Sequence, residues 1–83
     1  MNPTVDVSVK LFATLRRNYP EVRIGEAIPV SLPEGTTIGQ LVERLDLPNE
    51  PGKLIFVDGR RAGEDHVLRD GDEIGLFPPV GGG

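Results

Sequence analysis

One amphipathic helix is the feature that most limits how this chain can fold. Apolar residues fall at i, i+3, i+4 and i+7 along residues 38–45, a spacing that places them in one stripe of a helix. The stripe consists of Ile38, Leu41, Val42 and Leu45. Thr37 with Gln40 predicts a capping box, Thr36 is an alternative cap, and Pro48 stops the helix soon after the stripe. Since nothing else in the chain can cover this stripe, we expect it to pack on one sheet.

The rest of the chain has the pattern of β-strands and turns. Apolar and polar residues alternate in the first strand, and Asp58-Gly59 predicts a tight hairpin before a very short return strand. The predicted strands are residues 5–11, 27–32, 54–57, 60–61 and 73–77, with a short helix at 13–19 before Pro20. We expect the first and last long strands to lie side by side in the middle, and a strand–helix–strand crossover to make at least one pair parallel. The continuous apolar run at 54–57 predicts a central strand that is covered on both faces.

Length and pattern predict one small unit. The chain has 83 residues and shows no repeat, linker or second core. We therefore expect residues 1–80 to form a single domain and residues 81–83 to form a flexible C-terminal glycine tail. A chain of this size buries only about 60% of its unfolded surface, so modest stability is expected.

Composition excludes several classes of function. There is no cysteine, so the chain can form no disulfide, thiolate metal site or persulfide of its own. The net charge of −4, with acids and bases interspersed, argues against nucleic acid as a main partner. No apolar run approaches the roughly 20 residues that span a bilayer, and the N-terminus has no signal-peptide pattern. We expect a cytoplasmic protein without a membrane partner.

The C-terminal residues Gly81, Gly82 and Gly83 are the clearest functional signal. They form a tail without side chains that ends in a carboxylate, and glycine can enter a slot too narrow for other residues. Three terminal glycines alone are more typical of a disordered chain end or a cloning scar. The preceding Pro78-Pro79-Val80 at the end of a predicted strand favours the functional interpretation.

Three segments carry a resemblance to a known family. Residues 10–17 (KLFATLRR), 68–73 (LRDGDE) and 77–83 (FPPVGGG) together make the chain resemble the ubiquitin-like sulfur carriers. This family includes the small subunits of molybdopterin synthase, which are the nearest branch, and the thiamin-pathway carriers. The resemblance implies an α+β fold of the β-grasp type, a mixed sheet of four to five strands packed on one main helix.

The resemblance has one departure, at residue 81. Residues 11–17 favour the molybdopterin branch over the thiamin branch. The family more often has Ala before the final Gly-Gly, whereas this chain has Gly81. Branches that serve tungsten cofactors or other thiolated products therefore stay open.

The resemblance also implies a chemistry for Gly83. An adenylyltransferase of the ubiquitin-activating type uses ATP to convert the terminal carboxylate into an acyl adenylate. A sulfur donor then displaces AMP and leaves a thiocarboxylate, and the tail enters the large subunit of molybdopterin synthase, where the sulfur is transferred. On this interpretation the chain binds no cofactor or metal itself and supplies no catalytic side chains.

A thin tail needs a docked body. Ordering three glycines costs about 3–6 kcal/mol, of which backbone hydrogen bonds recover only part. We therefore predict an apolar docking patch on the sheet face away from the helix, with Phe12 and Phe77 as its candidates because each is out of phase with the core residues of its strand. The tail root, Pro78, Pro79 and Val80, is expected to join it. The alternatives are that the rings cover a secondary core and that the prolines are a solvated strand end.

Other residues carry weaker signals. His66 is the only histidine and predicts no metal site without further ligands. The pairs Arg16-Arg17 and Arg60-Arg61 are either solvated or steer an acidic partner. Three rival functions stay open: a carrier for thiamin or another thiolated metabolite, a ubiquitin-like modifier joined through Gly83 to lysines, and an interaction domain with an idle tail.

Overall fold

The computed structural model describes residues 3–23, 25–48 and 52–79, with the backbone alone at residue 18. Within these residues, five strands and two helices follow one another along the chain. The strands are β1 (Thr4–Leu11), β2 (Ile28–Pro33), β3 (Leu54–Val57), β4 (Arg60–Arg61) and β5 (Glu73–Phe77). A 3₁₀ helix (Ala13–Asn18) follows β1, and α1 (Ile38–Arg44) follows β2. The predicted elements are all present, with boundaries that differ by at most one residue at either end.

The strands form one mixed sheet in the order β2-β1-β5-β3-β4. β1 and β5 are neighbours, as predicted, and they run parallel, while the other neighbouring pairs are antiparallel. The two strands that flank α1 in sequence, β2 and β3, are not neighbours. A five-stranded mixed sheet packed on one main helix confirms the predicted α+β fold of the β-grasp type.

The prediction for β3 was wrong in two respects. It lies fourth in the sheet, with only the two-residue β4 outside it, so it is not central. Ile55 and Val57 are buried, whereas Leu54 and Phe56 are half-buried, so only one face of the strand is fully covered. The reason is that a single α-helix covers one face of the sheet and leaves the other open.

The core lies between α1 and the covered face of the sheet. Ile38, Leu41 and Val42 of the helix stripe are buried against the inward side chains of the strands. The largest fully buried side chains are Leu32, Ile38, Leu41, Leu68, Ile74, Leu76, Val9 and Val42. The alternation along β1 and β5 therefore has the predicted consequence: one set of side chains faces the helix and the other set faces away.

The capping box at the start of α1 is present. The backbone N–H of Gln40 donates to the Thr37 hydroxyl at 3.3 Å, and the Thr37 N–H donates to the Gln40 side-chain oxygen at 2.9 Å. The loop before β5 adds backbone acceptors, since Ile38 N–H donates to the carbonyl of His66 and Gly39 N–H to that of Glu64. These contacts satisfy donors that a helix N-terminus otherwise leaves unpaired.

Replacement of Thr37 by Ala should destabilise the fold by about 0.5–2 kcal/mol, because the side-chain acceptor at the N-cap is lost. Thr37→Ser keeps the hydroxyl and is the matched control. Its free energy of unfolding should differ from that of the native protein by only a small fraction of the loss expected for Thr37→Ala. Urea unfolding at neutral pH measures both. Equal stability of Thr37→Ala and the native protein would show that the backbone acceptors of the loop before β5 cap the helix without the hydroxyl.

Tyr19 ties the region after the 3₁₀ helix to the end of α1. Its hydroxyl donates to the carbonyl of Leu45 at 2.7 Å. Burial raises the pKa of Tyr19 above its ordinary value, and the carboxylates of Asp46 and Glu21 raise it further. The folded protein therefore favours the neutral phenol.

A raised pKa at Tyr19 predicts a loss of stability in alkali. The contribution is fully present below the ordinary tyrosine pKa of about 10 and declines as the pH rises through the higher pKa of the folded state. Tyr19→Phe should lower stability by about 0.5–1.5 kcal/mol at neutral pH and should lose less stability than the native protein above pH of about 10. Urea unfolding of both proteins across this range measures the difference, and parallel pH curves would contradict it.

Candidate functional site

The C-terminal tail leaves from the interior of the sheet. β5 lies between β1 and β3, and its last residue, Phe77, is opposite Leu54 of β3. Pro78 and Pro79 follow it and are half-buried, so they are not a fully solvated strand end. The predicted functional residues Val80, Gly81, Gly82 and Gly83 lie outside the described residues. The structure therefore places Pro78 and Pro79, the described part of the tail root.

Three phenylalanines lie together on the sheet face away from α1, and we call Phe12, Phe56 and Phe77 the aromatic patch. The rings of Phe12 and Phe77 are stacked, with centroids 4.2 Å apart and an interplanar angle of 4°. The Phe56 ring meets Phe77 edge-on, with centroids 5.6 Å apart. All three are half-buried, Phe77 contacts both other rings, and none of the three belongs to the main core.

Strand parity and one unusual backbone conformation place Phe12. Leu11 points into the core, so the next residue faces away from it, and the Phe12 N–H donates to the carbonyl of Leu76 at 3.1 Å. Ala13 then has a φ of 53°, in the left-handed region that costs a residue with a Cβ roughly 1–2 kcal/mol. This turn starts the 3₁₀ helix and keeps Phe12 beside β5.

Gly75 forms the floor of an open depression beside the aromatic patch. The depression has a volume of about 300 Å³. A Cβ atom at residue 75 would lie 3.5 Å from the Phe12 ring, 3.8 Å from the Phe77 ring and 4.0 Å from the Cβ of Phe56. The missing side chain at Gly75 therefore leaves a hollow that three aromatic residues surround.

Pro79 packs closely against the segment before β3. A Cβ at Gly52 would lie 3.5 Å from the Cβ of Pro79, and Gly52 has a φ of 87°, which favours glycine. Since proline also restricts φ, the chain leaves the sheet in a restricted direction. The aromatic patch, Pro78 and Pro79 thus form one continuous surface at this end of β5.

Charged side chains border this surface. Lys10 lines the depression, and the Arg61 guanidinium carbon lies 5.8 Å from the centroid of the Phe56 ring. Glu73 also lines the depression, two residues before Gly75 in β5 and therefore farther from the tail root. The Glu73 N–H donates a hydrogen bond to the Asp58 carboxylate. Of the two arginine pairs noted in the sequence, one residue, Arg61 of β4, therefore lies beside the aromatic patch.

Sequence reasoning missed Phe56 and Gly75. Phe56 was placed in a strand covered on both faces, although its parity relative to Ile55 and Val57 matches that of Phe77 relative to Leu76. A glycine inside a strand is itself a signal for a close approach of other groups, and Gly75 is such a glycine. The docking role of Phe12 and Phe77 stays a prediction, although the structure brings the two rings together.

His66 occupies a structural position. Its Nε2 lies 3.3 Å from a carboxylate oxygen of Asp72, which also accepts the Arg69 N–H at 2.9 Å. In residues 3–23, 25–48 and 52–79, no group of three or more His, Cys, Asp or Glu side chains is arranged to hold a metal ion. None of the helices in the same residues is long and apolar enough to cross a membrane.

The chain is similar to known proteins over most of its length. The model of the ThiS family matches residues 9–83. The molybdopterin synthase sulfur carrier subunit of Drosophila ananassae is 33% identical over 85 residues, which cover 98% of this chain and 94% of that protein.

Two solved structures have the same fold. One is a putative molybdopterin converting factor, subunit 1, from Pyrococcus furiosus, with 30% identity, a TM-score of 0.69 and coverage of 92% of this chain and 99% of that chain. The other is the small archaeal modifier protein 1 of Methanosarcina acetivorans, with 25% identity, a TM-score of 0.72 and coverage of 98% and 99%.

Proposed function

The chain belongs to the ThiS family, and we propose that it is a ubiquitin-like sulfur carrier for molybdopterin synthesis, acting through the carboxyl group of Gly83. The observation that carries the proposal is the position of the aromatic patch at the root of a tail that ends in three glycines. The patch can dock the body on a partner while the tail reaches into that partner's active site. The likeness to a molybdopterin synthase sulfur carrier subunit along nearly the whole chain supports this assignment.

The proposed reaction has two stages. The Gly83 carboxylate attacks the α-phosphorus of ATP in an adenylyltransferase, pyrophosphate leaves, and a mixed anhydride forms. Hydrosulfide supplied by a sulfur donor then attacks the acyl carbon, and AMP leaves, which produces a thiocarboxylate. Activation is needed because a free carboxylate is a poor electrophile, and the lack of cysteine agrees with sulfur held on the chain terminus.

The proposed partners follow from these stages. They are the adenylyltransferase, the sulfur donor, and the large subunit of molybdopterin synthase, into which the thiocarboxylate tail inserts. The catalytic side chains belong to those partners, and ATP is bound by the adenylyltransferase. We place these events in the cytoplasm.

A second candidate function is attachment to other proteins. The similarity to a small archaeal modifier protein favours it, since a modifier also needs an activated C-terminal glycine. The two functions diverge after the acyl adenylate, which is attacked by a sulfur nucleophile in a carrier and by a lysine amine in a modifier.

Intact mass measurement separates the candidates. The protein is incubated with ATP, a sulfur source and the adenylyltransferase of the same genome, with and without total cell protein. Exchange of one oxygen for one sulfur is the expected result for a carrier, and higher-mass conjugates are the result for a modifier. An unchanged mass under both conditions would contradict both functions and leave an interaction domain.

A further inference from the structure

We propose that the depression above Gly75 binds one aliphatic side chain of a partner protein, from a segment that carries a carboxylate next to that side chain. The inference rests on the proposed function, because it names the kind of partner surface that docks beside the tail. It is carried by the residues that surround Gly75 and by the charges at either side.

Gly75 lies in the middle of a row of residues that crosses four strands. Lys10 of β1 is opposite Gly75 of β5, Gly75 is opposite Phe56 of β3, and Phe56 is opposite Arg61 of β4. All four are on the open face of the sheet. The row therefore runs from a cation through a gap and an aromatic ring to a second cation.

The gap is apolar and has a defined shape. The Phe12–Phe77 stack closes the side toward the tail root, and Phe56 closes a second side at right angles to it, with an interplanar angle of 78° to Phe77. The backbone of Gly75 is the floor. The depression of about 300 Å³ has room for an aliphatic side chain, whose C–H groups contact the aromatic walls above Gly75.

The charges specify an acidic neighbour for that side chain. The ends of the row are three strand spacings apart, about 14 Å between Cα atoms. Among the described residues, neither Lys10 nor Arg61 has an ion-pair partner. The acids on the same face lie toward the end away from the tail: the Asp6 and Asp58 carboxylates accept hydrogen bonds there, and Glu73 lines that side of the depression. Lys10 and Arg61 lie closer to the tail root than these acids, so they are the cations with which a partner carboxylate can pair.

Gly75→Ala tests the hollow without disturbing the sheet. The added methyl group meets its neighbours at ordinary contact distances, and no positive φ opposes it, so the unfolding temperature should be equal or higher. Binding to the partner should weaken by about 10-fold or more, since one methylene in an apolar pocket changes affinity by about 10–200-fold. Gly39→Ala is the matched control, because its methyl also fits at 3.5 Å but lies at the start of α1, on the other face.

Lys10→Glu tests the charge. It should weaken binding by about 10-fold at low salt, with a smaller loss at high salt, since exposed charges are screened. Arg44→Glu makes the same change of charge on α1 and should leave affinity within about twofold. The dissociation constants are measured by calorimetry with two probes, the adenylyltransferase and the molybdopterin synthase large subunit of the same genome.

The proposal requires both Gly75→Ala and Lys10→Glu to weaken binding to at least one probe while both controls bind as the native protein does. It is overturned if either variant binds both probes normally, or if the native chain binds neither probe. It is also overturned if sedimentation shows self-association that Gly75→Ala abolishes, because the hollow would then bind a second copy of the chain. Sulfur uptake by the native chain is measured separately by mass. Uptake with normal Gly75→Ala binding rejects only the pocket, whereas the predicted binding pattern without uptake rejects only the carrier function.

Discussion

Deletion of Gly83 is expected to abolish sulfur uptake completely and to leave the unfolding temperature unchanged. The shortened chain ends in the carboxylate of Gly82, which lies about 3.3–3.6 Å short of the native position. A misplacement of 1 Å already costs on the order of 100-fold in rate, so the adenylation step should fall below detection. The buried core of the described residues is complete before residue 77, so its stability does not depend on the last glycine.

Two measurements check this expectation. Intact mass after incubation with ATP, adenylyltransferase and a sulfur source reports uptake, and calorimetry reports the unfolding temperature. Gly81→Ala is the matched control, because it keeps the length of the tail and should retain uptake. Uptake by the deletion variant at the native rate, or a clear fall in its unfolding temperature, would show that the tail has another role.

Phe77→Ala is expected to weaken docking to the molybdopterin synthase large subunit by about 30-fold or more. Phe77 touches both other rings of the aromatic patch, so its removal opens the surface beside the tail root. Central aromatic residues of an interface cost about 2 kcal/mol or more when they are truncated, which corresponds to this factor. Calorimetric titration of the large subunit measures the change.

Phe77→Ala will also lower the free energy of unfolding, so a double-mutant cycle with Phe12→Ala is needed. Loss of the stacked pair should appear as a coupling energy of about 0.5–1.5 kcal/mol in urea unfolding. Val67→Ala is the binding control, because Val67 is exposed by 51% and lies outside the aromatic patch. If Phe77→Ala binds as tightly as Val67→Ala, the patch is a secondary core and the docking prediction fails.

The elements of the fold were predictable because their patterns are local. The stripe at Ile38, Leu41 and Val42 and the capping residue Thr37 define α1 within one short segment. Asp58 and Gly59 have φ values of 50° and 82°, the conformation that a two-residue hairpin of type I′ requires and that these residue types favour. Alternation in β1 and β5 likewise indicated which side chains face the helix.

The candidate site was only partly predictable. The out-of-phase positions of Phe12 and Phe77 are visible in the sequence, but whether two such rings touch depends on the parallel register of β1 and β5. Phe56 was missed because an apolar run such as residues 54–57 has the same pattern in a strand covered on one face or on both. The role of Gly83 stays a prediction, and this residue lies outside the described part of the chain.

The sequence by itself determined the secondary structure elements, the inward and outward faces of the long strands and the family resemblance, because each depends on neighbouring residues or on a contiguous motif. Only the tertiary structure decided that Lys10, Gly75, Phe56 and Arg61 form one row and that Phe12 stacks on Phe77. Those contacts join residues far apart in the chain. They follow from the order and register of the strands, which are set by the burial of the whole core at once and not by any one segment.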